Sequence, residues 1–244
     1  MPNVSTLELL SGSIMSSYPT FCVTVNTVIF SVDTQQQRLL VLLVNPQSQQ
    51  LESGWCLPWD FVGPAEDLAA VAGRILQDKL TVDHLYLEQL YTFGSPSQRV
   101  PTASERALVV SYFALVRLED AALLTRQGSM TAWFSVGNLP PLCLDQGAII
   151  DYGHHRLRNK LTYSAIAFNV LPELFTLKEV YQLYCIVLGE DFADYSNFRA
   201  RLLKLGILAD TGVKASRGAG RPASLYRFDA AAFAPLKDQP MVFL

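Results

Sequence analysis

The chain has 244 residues, half of them hydrophobic, with 13 Phe, 10 Tyr and a mean hydropathy of +0.21. That is enough apolar material for a packed core and excludes a chiefly disordered chain, while no stretch approaches the roughly 18 uninterrupted apolar residues of a membrane span. The net charge of -3 hides an asymmetry: residues 1–150 carry 7 basic against 13 acidic side chains, and residues 151–244 carry 12 against 9.

The first segment, MPNVSTLELLSGSIMSSYPT, lacks the basic start and small-residue cleavage pattern of a secretory signal, so a cytoplasmic protein is expected. CVTVNTVIFSV (22–32) and LLVLLV (39–44) are β-branched or aliphatic runs separated by DTQQQ, and they read as a strand pair. After the polar loop PQSQQLESG, the phrase WCLPWDFV leads into a helix with Leu68, Val71, Ile75 and Leu76 on its buried stripe. LYLEQLYTFG (85–94), ALVVSYFALVRL (107–118) and TAWFSV (131–136) read as further strands. A mixed sheet flanked by a few helices follows, in a domain of about 150 residues. Residues 138–161 begin with a Pro pair, then pass from apolar periodicity to basic residues, which sets a domain boundary near residue 153. His154 and His155 are adjacent and diverge on a helix, and His84 is the only other histidine. A polar linker is therefore expected there rather than a metal site. Cys22, Cys56, Cys143 and Cys185 show no CxxC spacing; of the two readings, disulfides or buried thiols in a reducing compartment, the thiols are expected.

The second half is helical, then hairpin-like. Thr176 followed by Glu179 forms a capping box ahead of a helix with Val180, Tyr184, Val187 and Leu188 on its apolar stripe, which Gly189 can close. After the turn EDFADY, Ser196 or Asp194 caps a second helix, NFRARLLKLG. Phe198, Leu202 and Leu205 face inward, and Arg199, Arg201 and Lys204 form a basic outer side. ILADTGVKASRGAGRPASLYRFD then reads as strand, Gly-rich basic tip, strand. Two helices with a one-sided basic second helix, followed by a Gly/Arg hairpin, make a winged helix-turn-helix. Within residues 196–227 seven basic side chains oppose Asp210 alone, a charge balance suited to a polyanion. Ser196, Asn197, Arg199 and Arg201 are expected to approach base edges or phosphates, and Lys214, Arg217 and Arg221 the DNA backbone or an adjacent minor groove.

Residues 55–82 resemble the Nudix box, the signature helix of a family that hydrolyses nucleoside diphosphates linked to another group. The box runs Gly, five residues, Glu, seven residues, then Arg-Glu-apolar-any-Glu-Glu-any-Gly-apolar. On this chain Glu66 takes the first Glu, Arg74 the Arg, and Leu76 and Val82 the apolar positions. Asp60 stands at the first Gly and Thr81 at the last. The three metal-binding carboxylates fall at Ile75, Asp78 and Lys79. Magnesium needs near-octahedral oxygen ligation, which Ile75 cannot offer and Lys79 opposes. The fold is expected without the hydrolysis, and without metal or cofactor.

The resemblance extends over residues 20–229. LEQLYTFG, ALVVSYFALV, RLRNKLTYSAIAFNVLPELFTLKEV, SNFRARLLKLGIL and GRPASLYRF, in that order, are similar to one branch of the family, the Nudix-related transcriptional regulators of NAD metabolism. The resemblance implies an α/β (α+β) chain: an N-terminal Nudix-like α/β/α sandwich with a mixed sheet, plus a C-terminal winged helix-turn-helix domain. It sets a tail at 1–19, an effector-sensing domain at 20–153, a DNA-binding domain at 154–235 and a tail at 236–244. It further implies a homodimeric repressor on a palindromic double-stranded operator, released by ADP-ribose or a related nucleotide. Trp59, Glu66, Arg74, Arg99, Arg106 and Tyr112 are the candidate effector residues. Trp59 is positioned to stack on an adenine or to block it, and Asp60 to repel a diphosphate. Two readings of other classes compete: an active Nudix-type nucleoside-diphosphate-linked hydrolase with an accessory domain, marked by magnesium-dependent release of AMP, and an interaction scaffold that binds no nucleic acid even at low salt.

Overall fold

The computed structural model describes residues 21–46, 54–81, 86–95, 98–100, 103–119, 121–123, 129–189, 192, 194–216 and 222–237. Its first part is a mixed sheet of seven strands built around β1 (Cys22–Asp33), ordered β5-β7-β1-β2-β9. Here β2 is Arg38–Pro46, β5 Tyr86–Phe93, β7 Ala103–Leu115 and β9 Ser129–Ser135. β1 and β7 run parallel from Cys22↔Ala107 to Phe30↔Leu115, and the other pairings are antiparallel. β3 (Trp59–Phe61) adds to the start of β1, and β6 (Arg99–Val100) folds back on β7. β4 (Leu80–Thr81) pairs with β8 (Ala122–Leu123) apart from this sheet. Nine consecutive residues of β1, Thr24 to Val32, are buried. That explains its nearly unbroken apolar run: both faces of the strand are covered.

The cover on one face is α1 (Leu68–Lys79), whose Val71, Ala72, Ile75 and Leu76 repeat at helical spacing. Val71, Ala72 and Ile75 meet Val25, Val110 and Tyr112, and Leu76 meets Ile29, Leu42 and Ala114. The other face is covered by α2 (Gln146–Tyr163), which lays Ile149, Ile150, Leu157 and Leu161 against Val28, Phe30 and Phe113. Gly153 makes the approach possible, since a Cβ there would stand 3.3 Å from the Phe30 ring and 3.4 Å from Val28.

This helix corrects one expectation. Residues 153 and 154, where a linker is read from the sequence, lie in mid-helix. The glycine and the polar pair mimic a break, but Gly153 serves close packing, and His154 is half-buried with Nε2 3.4 Å from the Val187 carbonyl. Burial holds the His154 imidazole below its ordinary pKa.

After a short 3-10 turn (Ala165–Asn169), α3 (Leu177–Leu188) starts at the Thr176–Glu179 capping box. There the Glu179 amide donates to Thr176 Oγ1 at 3.2 Å and the Thr176 amide to Glu179 Oε2 at 2.7 Å. Gly189, at φ 103°, closes it. α4 (Tyr195–Lys204) is capped by Asp194 rather than Ser196, which is already inside the helix. Phe198 and Leu202 enter a ring cluster with Tyr181, Tyr184 and Phe192. β10 (Leu208–Ala215) and β11 (Ala223–Phe228) pair antiparallel to form the wing, and a two-way backbone bridge from Tyr226 to Phe175 ties it to the segment ahead of α3. A final turn of helix, α5 (Ala230–Phe233), is capped by Asp229. The wing tip, with Arg217 and Arg221, lies outside the described residues. Val28 and Phe30 of the sheet share one core cluster with Tyr184, Phe198 and Ile207. No helix among the described residues is long and apolar enough to cross a membrane.

Two further contacts tie the parts together. Cys56 and Cys143, both buried, form a disulfide with Cα atoms 5.4 Å apart, which corrects their reading as thiols. Their sequence separation of 87 hid the proximity, which the bridges Val44↔Cys56 and Trp55↔Leu142 create. Cys22 and Cys185 are half-buried and outside any disulfide. On the outer edge of the sheet, Glu88 of β5 holds α2 by two ion pairs, Arg156 Nη1 to Oε1 at 3.1 Å and Lys160 to Oε2. Tyr86 donates to the same carboxylate and accepts from Lys160 at 2.8 Å. Burial alone would raise the Glu88 pKa, but hydrogen bonds from Lys160 and Tyr86 and the charges of Lys160 and Arg156 hold it below the usual carboxylate range. Burial and the hydrogen bond to Glu88 push the Tyr86 phenol up to about 12.

A depressed carboxylate stabilises the fold above its unfolded pKa and loses that contribution as pH falls through its folded pKa. Glu88→Gln should therefore cost about 1 kcal/mol at neutral pH, a figure held down by partial exposure of the network. Urea melts should show the difference from the parent shrinking as pH falls and vanishing below the ordinary carboxylate pKa.

Candidate effector site and nucleic-acid interface

The box residues form a compact electrostatic unit. Asp60 pairs with Val25 across β3 and β1, so its side chain faces α1, where Arg74 reaches it. The same guanidinium holds Glu66, Nη2 to Oε1 at 3.1 Å, and the Glu66 carboxylate accepts the Gly63 amide at 2.9 Å. The hydrogen bond to Asp60 and the two nearby carboxylates keep Arg74 firmly protonated. One cation thus bridges two anions and fastens the loop of residues 60–66 to α1. Sharing Arg74 lowers the repulsion expected of Asp60 toward a diphosphate, although the three side chains together keep one net negative charge.

The positions of the metal carboxylates look different in space. Ile75 is 3% exposed and packs with Val25, Val71 and Tyr112 in the core. Asp78 and Lys79 are half-buried at the end of α1. Among the described residues no three His, Cys, Asp or Glu side chains gather as a metal set would.

The remaining candidates separate. Tyr112 is buried in the same core cluster, and burial, then the Asp67 charge, raises its phenol pKa. It supports α1 from beneath and offers no open ring face. Trp59 pairs with Asn26, one residue out of phase with Asp60, so it lies on the opposite face of the sheet. There it packs edge-on against Phe61 at 5.3 Å and against the cluster beneath α2. Arg106 is exposed at the start of β7, with its guanidinium 4.8 Å over the Phe21 ring and a hydrogen bond to the Gly94 carbonyl at 3.3 Å. Arg99 enters through its backbone, paired with Arg106. Glu66 and Arg74 thus form one unit with Asp60, Tyr112 lies in the core under the same helix, Arg99 and Arg106 sit on paired strands, and Trp59 stands apart.

Two cavities had no signal in the sequence, because each is built from distant segments. One, of about 640 Å³, lies between Phe93, Gln98, Leu142 and the start of α2, beside the rings of Tyr91 and Tyr152. The other, of about 820 Å³, opens between the β1–β2 turn, Arg117 and the first turns of α3.

On the second unit, Ser196, Asn197, Arg199, Arg201 and Lys204 are all exposed on α4 while Phe198 and Leu202 are buried. Helical spacing divides them: Asn197, Arg201 and Lys204 share one flank, and Arg199 shares the other with Tyr195. Lys214, exposed on β10, pairs with Ser224 of β11.

A Nudix-type sandwich joined by an unbroken helix to a winged helix defines the class, and the comparisons with known proteins agree. The C-terminal winged helix-turn-helix domain of AraR matches residues 163–244. The chain is 34% identical over 217 residues to the ADPR responsive transcriptional repressor NtrR of Acinetobacter baylyi, covering 87% of this chain and 84% of that protein. Shewanella oneidensis NrtR, crystallised with a 27mer DNA, has a TM-score of 0.72 at 30% identity, covering 86% of this chain and 94% of that one. The NUDIX domain of that regulator, crystallised with ADP ribose, matches 62% of this chain and 97% of its own at 27% identity and a TM-score of 0.50. The chain belongs to this NrtR-like family of Nudix-fold transcriptional repressors with a C-terminal winged helix-turn-helix domain, and the expected α/β class holds.

Restoring the box at one position should fail for a packing reason. Ile75→Glu puts a carboxylate among Val25, Val71 and Tyr112, at an expected cost of about 3 kcal/mol in the unfolding free energy by denaturant melts. Magnesium should not recover that loss.

Proposed function

We propose that the protein is a transcriptional repressor that binds duplex DNA through α4 and the wing and lets go when its Nudix-fold unit takes up ADP-ribose. The observation that carries this is the exposed basic face of α4, on a chain that matches nearly the full length of a regulator crystallised on DNA. The relative named as responsive to ADPR, and the NUDIX domain crystallised with ADP ribose, support the choice of effector.

The labour divides between residues 20–153, which sense, and 154–235, which bind DNA. Ser196, Asn197 and Arg201 read base edges in the major groove, where Arg and Asn have matching donor and acceptor patterns. Lys204, Lys214, Arg217 and Arg221 hold phosphates. Arg74, Glu66, Arg99 and Arg106 contact the effector, with Arg74 and Arg106 offered to its diphosphate and Tyr112 holding α1 in place below. Trp59, on the opposite face, takes part only through the loop it anchors. The protein binds the nucleotide without consuming it, since Ile75, Asp78 and Lys79 make no octahedral oxygen set for magnesium. It acts as a homodimer on a palindromic operator in the cytoplasm, because a two-fold reader needs two half-sites in fixed spacing. ADP-ribose shifts the population toward an arrangement of the recognition helices that no longer fits that spacing.

Gel shifts on the DNA upstream of the protein's own gene should show a complex that dissolves as ADP-ribose is added. Arg201→Ala should cost about 1–3 kcal/mol on that DNA and relax its sequence preference. Absence of binding at low salt, or release of AMP when magnesium and ADP-ribose are supplied, would contradict the reading.

A further inference from the structure

The proposed function leaves one feature of the second unit unused. Where the first turn of α3, the start of α4 and β11 meet, there is a cleft of about 180 Å³. Thr176, Lys178, Tyr195, Arg199, Ser224 and Tyr226 are its polar lining residues, and neither Asp nor Glu takes part. Lys178 and Arg199 come from different helices, both are exposed, and neither is ion-paired among the described residues. The nearby Glu179 carboxylate is absent from the lining of the cleft and accepts from the amide and hydroxyl of Thr176 in the capping box.

Size and chemistry narrow what fits. Pockets that enclose organic ligands run from about 300 Å³ upward, so a nucleoside is too large for this cleft, while a tetrahedral anion is not. Two cations and the hydroxyl residues Tyr195, Ser224 and Tyr226, which can donate while Thr176 Oγ1 is committed to Glu179, suit the non-bridging oxygens of a phosphodiester. The position on α4 agrees. Arg199 lies on the flank of Tyr195, turned toward the wing, whereas Arg201 lies on the other flank with Asn197 and Lys204.

We propose that this cleft seats one backbone phosphate of the bound DNA. Lys178 and Arg199 hold its charge, and the Tyr195, Ser224 and Tyr226 hydroxyls fix its position. The seat rests on the DNA-binding reading above and sharpens it. Arg199 is a positioning residue that sets the register of α4 in the groove, and Arg201 on the other flank reads sequence. Lys178, outside the recognition helix, becomes part of the interface.

Salt-dependent fluorescence anisotropy tests this, using the full chain on its own upstream duplex and on an unrelated duplex. Lys178→Ala and Arg199→Ala should each weaken binding to both duplexes by the same factor, leaving their affinity ratio unchanged. The double variant should lower the slope of log K against log salt by about 0.9, the value for a single phosphate. A neutral methylphosphonate at the seated position should weaken the parent and leave the double variant unaffected. Parental affinity and salt slope in the variants would overturn the seat while the DNA-binding function stands. So would an Arg199→Ala variant that changes the ratio as Arg201→Ala does. A parent that binds neither duplex at low salt would overturn seat and function together.

Discussion

The packing of α2 against the sheet at Gly153 is the constraint on which the rest depends. A side chain there would press into Phe30 and Val28, so this helix lies as close to the strands as backbone allows. Having made that contact, it continues without a break to Tyr163 and delivers the chain to the winged helix. Tyr184 of α3 donates its buried hydroxyl to the Leu161 carbonyl at 3.1 Å, so the second unit is bonded to the same helix. Glu88, Arg156 and Lys160 clamp its outer side to the sheet. Sensing and binding parts therefore share a core rather than a tether, and a rigid element that both parts grip can carry a population shift between them.

The sheet itself sorts the chemistry. Strand alternation sends Asp60 toward α1 and Trp59 toward α2, although they are neighbours in sequence. The α1 side holds the Arg74 bridge between Asp60 and Glu66, and beneath it a core that takes in Ile75. A cation already satisfied by two carboxylates costs little to keep at the surface, and it still presents donors to a phosphate that competes for them. The effector contacts proposed above would form by exchange of partners rather than through a metal, which suits a receptor whose ligand must leave intact.

Much of this was legible from local pattern. The strand runs, the α1 stripe, the capping box at Thr176 and the basic side of α4 each follow from residue spacing within one segment, and the wing follows from its Gly/Arg tip. What escaped was long-range. Gly153 and His154 look like a break because a glycine beside a polar pair usually is one, and only the Phe30 ring explains them as packing. Cys56 and Cys143 meet because two strand-like bridges align their segments, which no spacing reveals. Trp59 and Tyr112 read as ligand-facing aromatics, yet register sends one to the far side and buries the other.

Nucleotide and DNA are coupled ligands of one repressor, and coupling of binding free energies is reciprocal. The most direct measurement is calorimetric titration of ADP-ribose into the protein, alone and saturated with its upstream duplex. The account predicts that the duplex weakens ADP-ribose binding by the same factor by which ADP-ribose weakens duplex binding. Equal affinity for ADP-ribose in the two titrations would contradict it.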